Sequence, residues 1–152
     1  MQQMRQIREM IALAMLAVSS YTDIKEKSIY IMPLVITSSG AVIISLTELV
    51  SKPAADVFTH DLLMPALTGI IFIAVIYTYR EHIGMGDAYL LAALLIIAGI
   101  RYSLYTIAVS LLLSSVYALI VLAAGRIGGA GSRTIPFAPF VLTGFLLVLT
   151  MR

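Results

Sequence analysis

Residues 103–124 read SLYTIAVSLLLSSVYALIVLAA, a run without a single charged side chain. About 20 predominantly apolar residues suffice for a helix to cross the hydrocarbon core of a bilayer, so this stretch reads as a spanning helix. Outward from it, further apolar stretches lie near residues 6–22, 29–50, 62–79, 87–100 and 138–151, and the short pieces between them hold nearly all the charge. The expected fold is therefore all-α: a polytopic integral membrane helical bundle with about six transmembrane helices, with residues 1–152 forming one membrane-embedded domain. The fourth and sixth stretches are short for a span, and are expected to be extended by flanking residues or to sit in a thinned rim.

Composition supports the same class. Of the 152 residues, 61% are hydrophobic and 12% charged, with a mean hydropathy of +1.02. A soluble domain of this size would leave much of that apolar surface facing water, whereas lipid accepts it and asks only that backbone groups be paired internally. A net charge of +2 is too small to imply a nucleic-acid partner. With no Cys there is no disulfide framework, thiolate zinc site or cysteine nucleophile. Arg5 and Arg8 followed by an apolar run and Ala17-Val18-Ser19 resemble a cleavable signal peptide. The stronger reading keeps this stretch as the first helix, because cleavage would discard the span that delivers Asp23.

Charge does not set the orientation. Arg5, Arg8, Lys52, Arg101 and Arg152 fall on one side of a six-span chain, and Lys25, Lys27, Arg80, Arg126 and Arg133 on the other. Parity is informative where charge is not: the loops after the first, third and fifth spans share a face, and they hold Asp23, Asp87 and residues 133–139. An ionised Asp near the bilayer centre costs about 2.5 to 3.5 kcal/mol on insertion scales, so an acid within or at the rim of a span is a functional candidate. The plainer account of a rim acid is that it caps a helix at the interface.

Gly84-Met85-Gly86-Asp87 shifts that balance. Glycines three and one residues before an acid that opens an apolar helix permit positive φ and close backbone approach, which makes room for an extended peptide. Without metal, Cys or a Ser–His pair, peptide hydrolysis falls to two carboxylates sharing a proton. His60 lies on the opposite loop face, and His82 has no evident serine partner. Glu48, Asp56, His60 and Asp61 cluster on the far side without ligand spacing, so neither a metal nor a cofactor is expected. Ser38, Ser39, Ser45, Ser110, Ser114, Ser115, Gly69 and Gly99 read as small contacts between helices, and Tyr77, Tyr79, Tyr102 and Tyr105 as an interfacial belt.

Three segments together resemble the type IV prepilin peptidase family. Its members show an Asp at the end of an early helix followed by a basic residue and Ile, then Gly-x-Gly-Asp, then a Pro-Phe-Gly-Pro-like segment before a late helix. Asp23-Ile24-Lys25-Glu26-Lys27-Ser28-Ile29 is similar to the first, with Lys27 where Arg is favoured; Gly84-Met85-Gly86-Asp87 is similar to the second, and Pro136-Phe137-Ala138-Pro139 to the third. The chain departs at Tyr30-Ile31, where Pro-Asn is usual, at Tyr89, where Lys is usual, and at Ala138, where Gly is usual. It also lacks the cysteine-rich insertion of larger members linked to N-methylation, and so resembles a compact, peptidase-only form.

The resemblance implies a membrane aspartyl endopeptidase with Asp23 and Asp87 as the catalytic pair. Gly84, Gly86, Lys27, Pro136, Phe137 and Pro139 would support or position the substrate. That substrate would be a prepilin-like or archaeal preflagellin-like membrane protein, cut after its short basic leader at the cytoplasmic rim of a prokaryotic plasma membrane. The N-terminus would then lie outside, and Glu26 and Glu81 would face the basic leader. Helix-end effects of about 0.3 to 1 kcal/mol each predict that Asp87, at a helix start, ionises first and that the shared proton rests on Asp23. Two readings from other classes stand beside this one. A small ion- or proton-coupled transporter subunit would use the same acids as a path, but both sit at one rim rather than at mid-depth. A non-catalytic pilus-assembly protein would fit the motif departures. A presenilin-like protease shares Gly-x-Gly-Asp, but its Pro-Ala-Leu segment is missing.

Overall fold

Every regular element in the computed structural model is a helix; the structure describes residues 2–48, 63–78, 85–124 and 136–151, and no strand occurs among them. In chain order the helices are α1 (Gln2–Glu26), α2 (Ile31–Glu48), α3 (Met64–Thr78), α4 (Met85–Ala98), α5 (Ile100–Ala123) and α6 (Ala138–Thr150). α2, α3 and α6 each carry a proline in the first turn, at Pro33, Pro65 and Pro139, where the fixed φ suits a helix and the missing N–H has no intrahelical partner to lose. α1 runs one turn beyond the expected apolar stretch, so Asp23 sits inside its last turn rather than after it.

α1 ends where Lys27 turns left-handed at φ 51 and its N–H bonds to the Asp23 carbonyl, 3.0 Å away. This is the position at which Gly or Asn normally closes a helix. The break between α4 and α5 is a single residue, Gly99, at φ 80. Its N–H caps Leu95 of α4 and its carbonyl receives Ser103 of α5, both at 3.1 Å. The structure thus corrects the reading of Gly99 as a packing contact, since no atom lies where its Cβ would approach a neighbouring helix. It is a hinge residue that needs positive φ. Ser103, fully buried, fastens the same corner by donating to the Leu94 carbonyl at 2.9 Å.

α4 occupies the centre. It packs against α1, α2, α3 and α5, and Ala88, Leu90 to Leu95 and Ile97 are all buried. α6 lies against α1 and α5, and Gly144 gives α5 a close approach: a methyl there would meet Ser110 Oγ at 2.5 Å and the Thr106 carbonyl at 3.1 Å. Gly69 packs on Ala92 in ordinary contact, and Ser45 and Ser110 are buried, as small interhelical residues should be. Ser39 and Ser115 instead face outward and bond to their own helix.

The two ends of the bundle differ in what they gather. At one end the Arg8 guanidinium donates to Ser45 Oγ at 3.0 Å, and Arg5 lies 5.9 Å from the centre of the Tyr102 ring, joining the start of α1 to the end of α2 and the start of α5. The opposite end collects the end of α1 and the starts of α2, α4 and α6. Of the six helices, α5 is long and apolar enough to cross a membrane, with a mean hydropathy of 2.3; α2, α3, α4 and α6 are apolar but shorter.

Candidate active site

Asp23 is 7% exposed, although it carries a carboxyl, and a buried carboxyl needs partners. Its Oδ2 accepts a 2.9 Å hydrogen bond from the backbone N–H of Ala138, 115 residues away in sequence. That donor is the first of α6, and the next residues complete the account of the helix start. Pro139 has no N–H, and Phe140 and Val141 both donate to the Phe137 carbonyl, at 3.0 and 3.3 Å. No side chain of α6 itself caps it. Asp23 therefore does cap a helix, but one from the far end of the chain rather than its own. Ala138 is fully buried and presents its N–H to Asp23, so the methyl that replaces the expected glycine hydrogen does not remove the donor.

Asp87 is half-buried in the first turn of α4, as its place before an apolar run predicts. α1 and α4 are packed neighbours, and the charge of Asp23 bears on Asp87. Gly86 brings the first two segments together. A methyl on it would lie 3.1 Å from Ile29 Cβ, tighter than a comfortable carbon contact. The space this glycine leaves is filled by Ile29, which corrects the idea that it is held open for a peptide, and its φ is not positive. Gly84 lies outside the described residues, as do Glu81, His82, Asp56, His60 and Asp61.

Lys27 is exposed, and its left-handed turn directs the chain into Ser28-Ile29-Tyr30. The Tyr30 hydroxyl donates to Glu26 across this turn. That hydrogen bond and the carboxylate charge hold the phenol above its ordinary value of 10.0. Tyr30, which stands where Pro is usual, thus ties down the acid that was expected to face a basic leader. Pro136, Phe137 and Pro139 are half-buried around the Ala138 donor, and Phe137, Ile29 and Tyr89 pack on the core. Ser19 and Ser20, about one turn before Asp23 on α1, are also buried.

These contacts define an all-helical protein in which two acids and three separated segments meet at one end of a bundle. The chain belongs to the type IV leader peptidase family, whose model matches residues 10–122. The protein is accordingly a peptidase of a membrane-associated family that processes prepilin-type substrates. The match includes Asp23, Gly86 and Asp87 and ends before Pro136. Comparison with curated proteins gave no match, and neither did comparison with solved structures.

Proposed function

We propose that this protein is a polytopic membrane aspartyl endopeptidase that removes the short basic leader of a prepilin-like or preflagellin-like precursor, with Asp23 and Asp87 sharing the work on one water. The observation that carries this reading is the convergence on Asp23: the carboxyl is buried, takes the Ala138 N–H and has Asp87 within electrostatic reach. A cap alone needs no second acid beside it. In the proposed reaction one carboxylate takes a proton from water as the oxygen attacks the scissile carbonyl, and the other carboxyl donates its proton to the carbonyl oxygen. As the C–N bond breaks, the leaving amine takes the proton that the first carboxylate received from water, and the second carboxylate regains a proton from a hydroxyl of the tetrahedral intermediate, so both acids return to their starting states. Because Oδ2 of Asp23 already accepts a hydrogen bond, a proton on this residue belongs on Oδ1.

Placement in lipid is supported by the outer surface. Met32, Ile36, Ile43, Ile70, Leu112 and Leu119 are large apolar side chains facing outward on three helices, with Leu112 at 68% exposure. Soluble monomers rarely carry so continuous an apolar surface. Lys27, Gly86, Pro136, Phe137 and Pro139 hold the site in shape, Gly84 contributes as part of the Gly-x-Gly-Asp motif, and the active end faces the cytoplasm. The test is co-expression with a pilin precursor from the same genome. Asp23→Asn and Asp87→Asn should each insert normally and abolish leader removal; substantial processing by either variant overturns the aspartyl mechanism.

A further inference from the structure

α2 and α3 both pack on α4, but among the described residues they are not packed on each other. Beside α2 this leaves an apolar trough of about 350 Å³ that opens to the outside. Ile31, Ser38 and Val42 of α2 line one side of it. Tyr89, Ala92, Ala93 and Ile96 of α4, at helical spacings of three and four, line the other. α2 and α4 both start at the end of the bundle that holds the acids, so Ile31 and Tyr89 form the mouth of the trough and Val42 and Ile96 its inner end. The mouth adjoins the candidate site: Tyr89 is two residues past Asp87, and Ile31 is two past Ile29, which fills the space beside Gly86. From Ile31 to Val42 the trough follows α2 for about 16 Å, roughly half the thickness of a hydrocarbon core. Ser38, Ala92 and Ala93 keep its floor low, and short side chains of this kind let a second helix approach closely.

We propose that this trough seats the apolar helix of the precursor, with the leader end of that helix at the mouth formed by Ile31 and Tyr89, an inference that rests on the membrane peptidase reading above. Continuity with the acids favours this occupant, since a helix lying in the trough delivers its end to the site. A second copy of the chain fits less well: a two-fold contact pairs a face with itself, and a concave face supplies no ridge to fill its own trough. The helical turn sets the register. Asp87 lies about 200° round α4 from Tyr89, on the side away from the trough. A peptide leaving the mouth therefore crosses the start of α4, a span of about 10 Å that takes about three extended residues. Ser38 is about 10 Å further along than Ile31, which places it opposite the precursor residue about ten past the cut.

The experiment uses the absence of Cys from the chain. Asp23→Asn carrying Ser38→Cys, or Leu112→Cys on the outer surface of α5 as the control, is reconstituted in lipid with a full-length prepilin-type precursor bearing one cysteine at successive positions after its leader. Mild oxidation then traps neighbouring pairs. Ser38→Cys should give adducts that peak about ten residues past the cut and recur at helical spacing, and Leu112→Cys should give none above background. In the otherwise unaltered chain, Ser38→Phe and Val42→Phe narrow the trough, and each should raise KM about tenfold or more with kcat within about twofold and no fall in melting temperature. A flat adduct profile, equal adducts at Leu112→Cys, or an unchanged KM in both Phe variants, as expected where lipid chains alone fill the trough, overturns the inference. Ser38→Cys adducts between two enzyme copies that persist with precursor present, or a KM rise confined to variants that melt lower, overturn it as well. If Asp23→Asn still removes the leader while the adducts keep their register, the aspartyl reading fails and the docking stands. If Asp23→Asn is inactive and the adducts show no preference, the docking alone fails.

Discussion

At the scale of single residues, the site depends on main-chain donors as much as on the acids. The Ala138 N–H is the atom that Asp23 uses, and the side chain at 138 is incidental to that bond. Ala138→Pro removes this donor, and also disfavours the αR conformation of Phe137 before it. Proline is well accepted at the first position of a helix, so α6 itself should form, yet the donor to Asp23 is gone. A hydrogen bond to a charged group contributes about 1.5 to 3 kcal/mol, and a loss of that order in stability, together with strongly reduced cleavage, is expected from denaturation and processing assays. Ala138→Gly should behave like the parent in both. Equal damage from the two variants would mean that the methyl, not the N–H, is what matters at this position.

At the scale of elements, Lys27 raises the question of whether a basic side chain or a backbone shape is required where α1 turns into α2. A left-handed φ is unfavourable for L-residues other than Gly by roughly 1 to 2 kcal/mol. Lys27→Gly is therefore expected to be as stable as the parent or more so, and to keep cleavage. Lys27→Val, β-branched and poorly suited to φ 51, should lose both. Loss of cleavage in the Gly variant with stability intact would assign the role to the ammonium group. This turn also shows what sequence could reveal. The helix starts were legible because Pro33, Pro65 and Pro139 and the onset of apolar runs mark them locally. The length of α1 was less so, because Asp23, Lys25 and Glu26 look like a terminus while continuing the helix. Gly99 was misread because a small residue at the edge of an apolar run serves equally as a hinge or a packing contact, and only its φ separates the two. The acids stood out as candidates by their scarcity and by falling in loops of one parity. The Asp23–Ala138 bond was not, since nothing local to either residue names a partner across the whole chain.

At the scale of the whole molecule, the bundle has a central helix with no outward face and an outer surface rich in apolar side chains. In water a buried leucine contributes about 1.5 to 3 kcal/mol. In lipid that driving force is absent between helices, and close contacts such as Gly144 on Ser110 take over. The topology proposed for the membrane can be tested without background, since the chain has no Cys. Single cysteines at Ser28, beside the acids, and at Arg101, at the other end, should react with an impermeant thiol reagent from opposite sides of the membrane. Labelling of both from the same side would contradict an even alternation of spans.

The bond from Asp23 to Ala138 also sets an order of events during biosynthesis. A nascent chain carries both acids once α4 has been made, but the donor that fixes Asp23 comes only with the start of α6. Until residue 138 has been synthesised and inserted, that carboxyl lacks its fixed backbone partner, and the helix that covers α1 on that side is missing. A growing chain would therefore hold its acids unorganised while ribosome and insertion machinery are still engaged.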